Sequence, residues 1–169
     1  MARLLMGTYA LIAEAVKADL ETVTDIGVVL NSAPLPPFME DWAEYIDTLT
    51  SVIDGQRAVR AWTVGFLGTK VVSVRRGLGS QKVLREVRFS IRGYLGRHHP
   101  DSEATFRDLI ETIVAVLDAD LGLRGTVIEH APVDVDLPSN ADAVLLGDVV
   151  CHYCEITLAA RVEMTLPVI

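Results

Sequence analysis

Two strand-like runs, each nearly twenty residues long, meet at Gly77-Leu78-Gly79-Ser80, a turn signal. In the first run Arg60, Trp62, Val64 and Phe66 alternate with Val59, Ala61 and Thr63, and Val71, Val72 and Val74 extend it. In the second, Val87, Phe89, Ile91 and Leu95 point inward while Arg88, Ser90, Arg92 and Tyr94 point outward. Arms of that length reach roughly 60 Å when extended at ~3.3 Å per residue, more than a small domain is wide. The hairpin over 57–97 therefore either bulges at Gly65 and Gly68 or projects from the body.

The rest of the chain has to cover that hairpin. Leu5, Tyr9, Ile12, Val16, Leu20 and Val23 form one apolar stripe and predict a helix over 2–23. Asp25-Ile26-Gly27 breaks it, and Val28, Val29 and Leu30 read as a short strand. Pro34, Pro36 and Pro37 lead into a second helix, whose stripe is Trp42, Tyr45, Ile46, Leu49 and Ile53 and whose stop is Gly55. After His98-His99-Pro100, Asp101 or Ser102 can cap a third helix. Phe106, Leu109, Ile110, Ile113, Val114, Leu117 and Leu121 make it the strongest helical stripe in the chain. A strand over 126–129 follows, then a long polar connection to Gly147 with a short edge strand over 133–137. The last strand, over 149–164, sets Val150, His152, Cys154, Ile156, Leu158, Ala160 and Val162 on one face.

This order predicts an α+β fold: a mainly antiparallel sheet of four to five strands with a long β-hairpin, and helices packed on the sheet. At 169 residues the chain matches one domain, residues 1–169, with the hairpin projecting from it. Half its residues are hydrophobic and 22% are charged, a globular balance that excludes disorder as the main state. Every apolar run is interrupted by charge before the ~18 residues a membrane helix needs. The start of the chain imitates a signal peptide, with Arg3, an apolar stretch and an Ala-x-Ala, but its helical spacing continues past Ala15. Two cysteines without an export signal point to reduced thiols in a cytoplasm.

The net charge of −8 argues against general nucleic-acid binding and conceals a strong segregation. Residues 1–55 hold 2 basic and 9 acidic side chains, residues 56–99 hold 10 and 1, and residues 100–169 hold 3 and 13. Either the basic hairpin packs beside acidic helices of its own chain, or the subunit has one basic and one acidic flank suited to head-to-tail contacts. Lys70, Arg75, Arg76 and Lys82 at the hairpin tip, with Arg88, Arg92 and Tyr94 on its outward face, are the candidate oligomer and partner contacts.

Motifs with catalytic potential are weak. Cys151-His152-Tyr153-Cys154 has CxxC spacing, but on a strand positions i and i+3 face opposite ways, so the two sulfurs cannot share a metal or a relaxed bridge. No second ligand pair accompanies them. A Cys-His enzyme has His98, His99, His130 and His152 to draw on, yet neither cysteine lies in a nucleophile signature, and His152 sits on an apolar face. His98-His99-x-Asp101 reads as a solvated turn before a helix. Asp134, Asp136, Asn140 and Asp142 lack the glycine and closing glutamate of a calcium loop. Gly77-x-Gly79 is too short for a dinucleotide fingerprint. No catalytic residue, cofactor or metal is expected.

Four stretches carry a resemblance: Arg60-Ala61-Trp62-Thr63-Val64, Phe89-Ser90-Ile91-Arg92-Gly93-Tyr94-Leu95, Ser102-Glu103-Ala104-Thr105-Phe106 and Cys151-His152-Tyr153-Cys154-Glu155-Ile156. In their order and spacing the chain, over residues 5–160, resembles the tail terminator (tail-completion) proteins of tailed bacteriophages. The resemblance implies a small α/β or α+β subunit without catalysis or cofactor. Six copies would form a ring at the head-proximal end of the tail, stopping tube polymerisation and offering a surface to the head. The implied partners are copies of itself, the tail tube protein and head-completion or neck proteins. DNA would pass through the lumen without specific binding, and no membrane is involved. The implied location is the virion, after assembly in the host cytoplasm. A head-tail connector or tube-like protein is the alternative, and a small Cys/His enzyme a more distant one.

Overall fold

The computed structural model describes residues 2–31, 42–53, 55–77, 80–97, 100–136 and 143–167. Its elements run α1 (Ala2–Leu20), β1 (Val28–Asn31), α2 (Trp42–Thr48), β2 (Thr50–Ile53), β3 (Gln56–Arg76), β4 (Ser80–Gly96), α3 (Ser102–Ala119), β5 (Glu129–His130), β6 (Asp134–Asp136), β7 (Ala143–Leu146) and β8 (Val149–Pro167). The fold is α+β, with a mostly antiparallel sheet. It has eight strands among the described residues rather than four to five, and β1 joins β3 in parallel.

Three long strands form the spine in the order β3-β4-β8. Trp62, Gly93 and Cys154 are paired across them, as are Val64, Ile91 and Ile156, and Phe66, Phe89 and Leu158. Side chains in such a row point to one face. That face takes α1 and α3, and the main core forms there from Ile12, Val16, Leu20, Phe106, Ile113, Leu117 and the strand residues. Gly93 lets the Trp62 ring lie flat on the sheet, since a Cβ there would collide with it. Tyr9 of α1 stacks on Phe66 with centroids 4.7 Å apart. A smaller core on the opposite face joins Leu49, Val59, Ala61 and Cys151, with Tyr45 and Ile46 of α2 and Val144 and Leu146 of β7 beside them.

The hairpin does both things expected of it. It bulges at 66/68, where Gly68 takes φ +153°, and again at 71/73, while Gly65, expected to bulge, pairs Ser90 in regular register. It also extends outward beyond the Tyr9–Phe66 contact: from Leu67 to Gly77 every residue except Gly68 is exposed. Its base, by contrast, is core. It is also not a lone hairpin, because β8 pairs β4 along its whole length and makes a three-stranded arm. Gly77 closes the turn by donating to the Ser80 carbonyl at 2.8 Å, while Leu78 and Gly79 lie outside the described residues.

Several boundaries move for local reasons. α1 ends at Leu20 rather than near Val23, because the β-branched Thr22, Val23 and Thr24 disfavour helix and Thr22 Oγ1 turns back to the Asp19 carbonyl. The expected second helix stops at Thr48. Thr48 and Thr50 hydroxyls bond the Tyr45 and Ile46 carbonyls, and Thr50-Ser51-Val52-Ile53 becomes β2. Gly55, at φ +75°, sits in the β2–β3 turn rather than at a helix end. The strand expected over 126–129 is displaced to Glu129–His130 by a turn in which Leu123, Arg124 and Gly125 all have positive φ. The polar connection contains β7, paired with β8 through a turn at Gly147. The proline lead-in at 34–37 and His98-His99 lie outside the described residues.

Candidate interaction surface on the arm

The outer arm, residues 66–88 and 159–167, carries seven basic and two acidic side chains. Lys70, Lys82 and Arg88 lie on the face opposite the main core, by their pairing with Glu86 and Arg75. They are partly neutralised there. Lys70 and Arg88 approach Glu86 at 3.9 and 4.0 Å, and Lys82 contacts Glu163 at 2.7 Å. Arg76, paired with Gln81, lies on the other face. Arg75 and Arg76 make no ion pair among the described residues.

The arm is also apolar where water reaches it. Phe66, Leu67, Val71, Val72 and Val74 are each 43–51% exposed. On the core side Arg85 lies between Val71 and Val162, with its Nε buried and without a hydrogen-bond partner among the described residues. Strands β1 and β2 pair β3 only over 61–64 and 56–59, so no described strand pairs its outer edge over 65–76. A free edge of that length is the kind of strand proteins usually bulge, charge or cover, and here it is bulged twice and charged.

Arg92 and Tyr94, grouped with the arm in the sequence, stand apart from it nearer the base. They belong to a polar cluster centred on Glu155. Ser90 Oγ donates to Glu155 Oε1 at 2.5 Å, Tyr153 OH donates to Oε2 at 3.1 Å, and Arg92 Nε lies 3.7 Å from Oε2. The Ser90 hydrogen bond is the main reason the Glu155 carboxyl sits below its ordinary pKa; partial burial opposes it, and Tyr153 and Arg92 add to the lowering. Burial, then the neighbouring carboxylate, pushes the Tyr153 phenol up to about 12. Ser90 lies on the outward face, as its alternation predicts, and is buried there, covered by this cluster. The sequence signal was present in the Arg92–Glu155 pairing across β4 and β8, which is visible only once the register is known.

The cysteines take opposite faces, as strand geometry requires. Cys154 joins the main core and Cys151 the smaller one, and both are free. Desolvation lifts their thiols to about 12 and about 11. His152 Nε2 lies 3.0 Å from Ser102 Oγ, and its ring stacks on Phe106. Ser102 thus faces the histidine, and Asp101 at the N-cap position makes no side-chain cap, so the expected cap of α3 does not form. His130 is buried and bridges the Ala131 and Leu117 carbonyls. Asp134 and Asp136 lie on β6, while Asn140 and Asp142 fall outside the described residues. No group of three or more potential metal ligands occurs among the described residues. No described helix is long and apolar enough to cross a membrane.

No protein-family model matches the chain, and no curated protein is significantly similar to it.

Proposed function

We propose that the chain is a structural assembly protein of a tailed phage, a tail terminator whose copies form a ring, of six by the family resemblance, at the head-proximal end of the tail. One observation carries this reading: a three-stranded arm, with a basic tip and an open outer edge, reaches well beyond its own core. A monomer gains nothing by exposing Phe66, Leu67, Val71, Val72 and Val74 together, whereas an assembly covers them. In this reading the ring sits between the tail tube protein and the head-completion or neck proteins. The excess acidic charge of each copy keeps the passing DNA from adhering.

The test reverses the charge of Lys70, Arg75, Arg76 and Lys82 together. The purified wild-type protein is expected to form discrete rings in electron micrographs, alone or with tube protein, and to limit tail length. The reversed variant is expected to lose rings and length control. Unchanged rings and tail lengths in the variant would remove the arm from assembly. Open-ended stacks of the wild type would favour a tube-like protein, and single rings that bind head but not tube would favour a connector.

A further inference from the structure

At the far end of β3 from the arm tip, a cleft of about 430 Å³ opens between the end of α1 and the first half of α3. Asp25, Arg60, Thr105, Asp108 and Thr112 line it. Arg60 Nη1 is held on the cleft wall by the Asp25 carbonyl at 3.0 Å. The carboxylates of Asp25 and Asp108 make no ion pair among the described residues, and neither does Glu111, one residue short of a turn beyond Asp108. The lining thus sets two carboxylates, Asp25 and Asp108, against the one guanidinium of Arg60, a surplus of one negative charge to which Glu111 beside the cleft adds a second.

The arm tip has the complementary surplus, with Arg75 and Arg76 unpaired among the described residues. The two ends cannot meet within one chain. Arg60 at the cleft and Arg76 at the tip lie sixteen residues apart on the same strand. That is about 50 Å of extended backbone at ~3.3 Å per residue. The strand is paired with β4 throughout, so it does not fold back. This removes neutralisation within the monomer as an account of the charge segregation at these two sites.

We propose that the arm tip of one copy, led by Arg75 and Arg76, docks into the acidic α1–α3 cleft of a second copy. The contact joins unlike surfaces, so it repeats head to tail and closes into a ring where the rotation allows. Arg75 and Arg76 are exposed on the described part of the tip, and the cleft is open to solvent. The proposal rests on the self-assembling part of the reading above and is independent of the tail setting.

The experiment uses two full-length variants, Arg75→Glu/Arg76→Glu on the arm and Asp108→Lys/Glu111→Lys on the helix, with mass measured by light scattering. All four positions are exposed, and circular dichroism checks that both variants fold. Each variant alone sets like charges against each other and is expected to associate at least tenfold more weakly than the wild type. An equimolar mixture restores attraction at every junction and is expected to recover the wild-type mass. Either variant assembling normally alone, or a mixture that stays dissociated while the wild type assembles, overturns this contact and leaves the self-assembling reading in place. A wild type that stays monomeric at every concentration and salt overturns both. Without any substitution, wild-type assembly should weaken tenfold or more between about 0.1 M and 1 M salt, as the screening length falls from about 10 Å to 3 Å; salt-independent assembly overturns the contact.

Discussion

Cys151 and Cys154 show how far one residue's environment can be anticipated. The three-residue spacing on a strand already separates them to opposite faces, and the structure buries each in a different core. With thiols raised to about 11 and 12, only a minute thiolate fraction exists at neutral pH. Iodoacetamide at pH 7 is therefore expected to leave both unmodified in the folded protein and to label both after unfolding in urea. One rapidly labelled thiol in the folded state would revive the Cys/His enzyme reading. Glu155 offers a second residue-level test. Its carboxyl is held below its ordinary pKa chiefly by Ser90, so that hydrogen bond stabilises the ionised form. The stabilisation is fully present above the unfolded pKa of about 4.3 and is lost as pH falls through the lower folded value. Ser90→Ala should thus cost about 1.5–3 kcal/mol at pH 7, the range for a hydrogen bond to a charged group. The difference from wild type should shrink as the solution is acidified below pH 4. A pH-independent difference, read from urea unfolding, would mean that packing rather than the carboxylate is responsible.

The arm is the element whose existence was plain and whose company was not. Alternation over 57–97 predicts two long strands; Gly68 marks one bulge of the first, whereas Gly65 pairs in register and the second bulge, at 71/73, has no glycine to announce it. That β8 runs alongside β4 for its full length follows from a pairing with no local signal, because the partners lie up to eighty-seven residues apart, as in Ser80↔Pro167. The consequence can be measured by hydrogen exchange. Amides of β4 bond alternately to β3 and β8 and are expected to be protected throughout the paired region. In the unassembled chain every second amide of β3 over 65–76 points to the open edge and should exchange orders of magnitude faster. Uniform protection along β3 in a monomer would mean that something covers the edge. Short elements fared worse in the sequence. Leu49 and Ile53 continue the stripe of α2 and so extend the predicted helix through β2, and only the pairing of Thr50–Ile53 with β3 overrides that period.

At the scale of the molecule, the charge blocks acquire a direction. The acidic α3 and the Asp25 turn after α1 lie toward one end of the long sheet, and the basic tip lies at the other. Reversing Lys70, Arg75, Arg76 and Lys82 is accordingly expected to change assembly far more than folding. The ion pairs of Lys70 and Lys82 are exposed, and pairs of that kind are worth about 1 kcal/mol or less. A thermal melt of the variant within a few degrees of the wild type, alongside lost association, is the pattern expected. A collapse of the melting temperature would place these residues in the stability of the fold instead.

The sequence by itself determined the class of fold, the presence of three helices, the length of the hairpin and the segregation of charge. All of these rest on periodicity or composition along a continuous stretch, where each residue constrains its near neighbours. Only the tertiary structure decided that the hairpin is a three-stranded arm, that Ser90, Tyr153 and Glu155 form one cluster, and that Asp25 and Asp108 share a cleft with Arg60. These depend on sheet register and on how α1 and α3 cross the sheet. A slip of one residue would turn every side chain of a strand to the other face, so such neighbours are set by the packing of the whole core rather than by any local pattern.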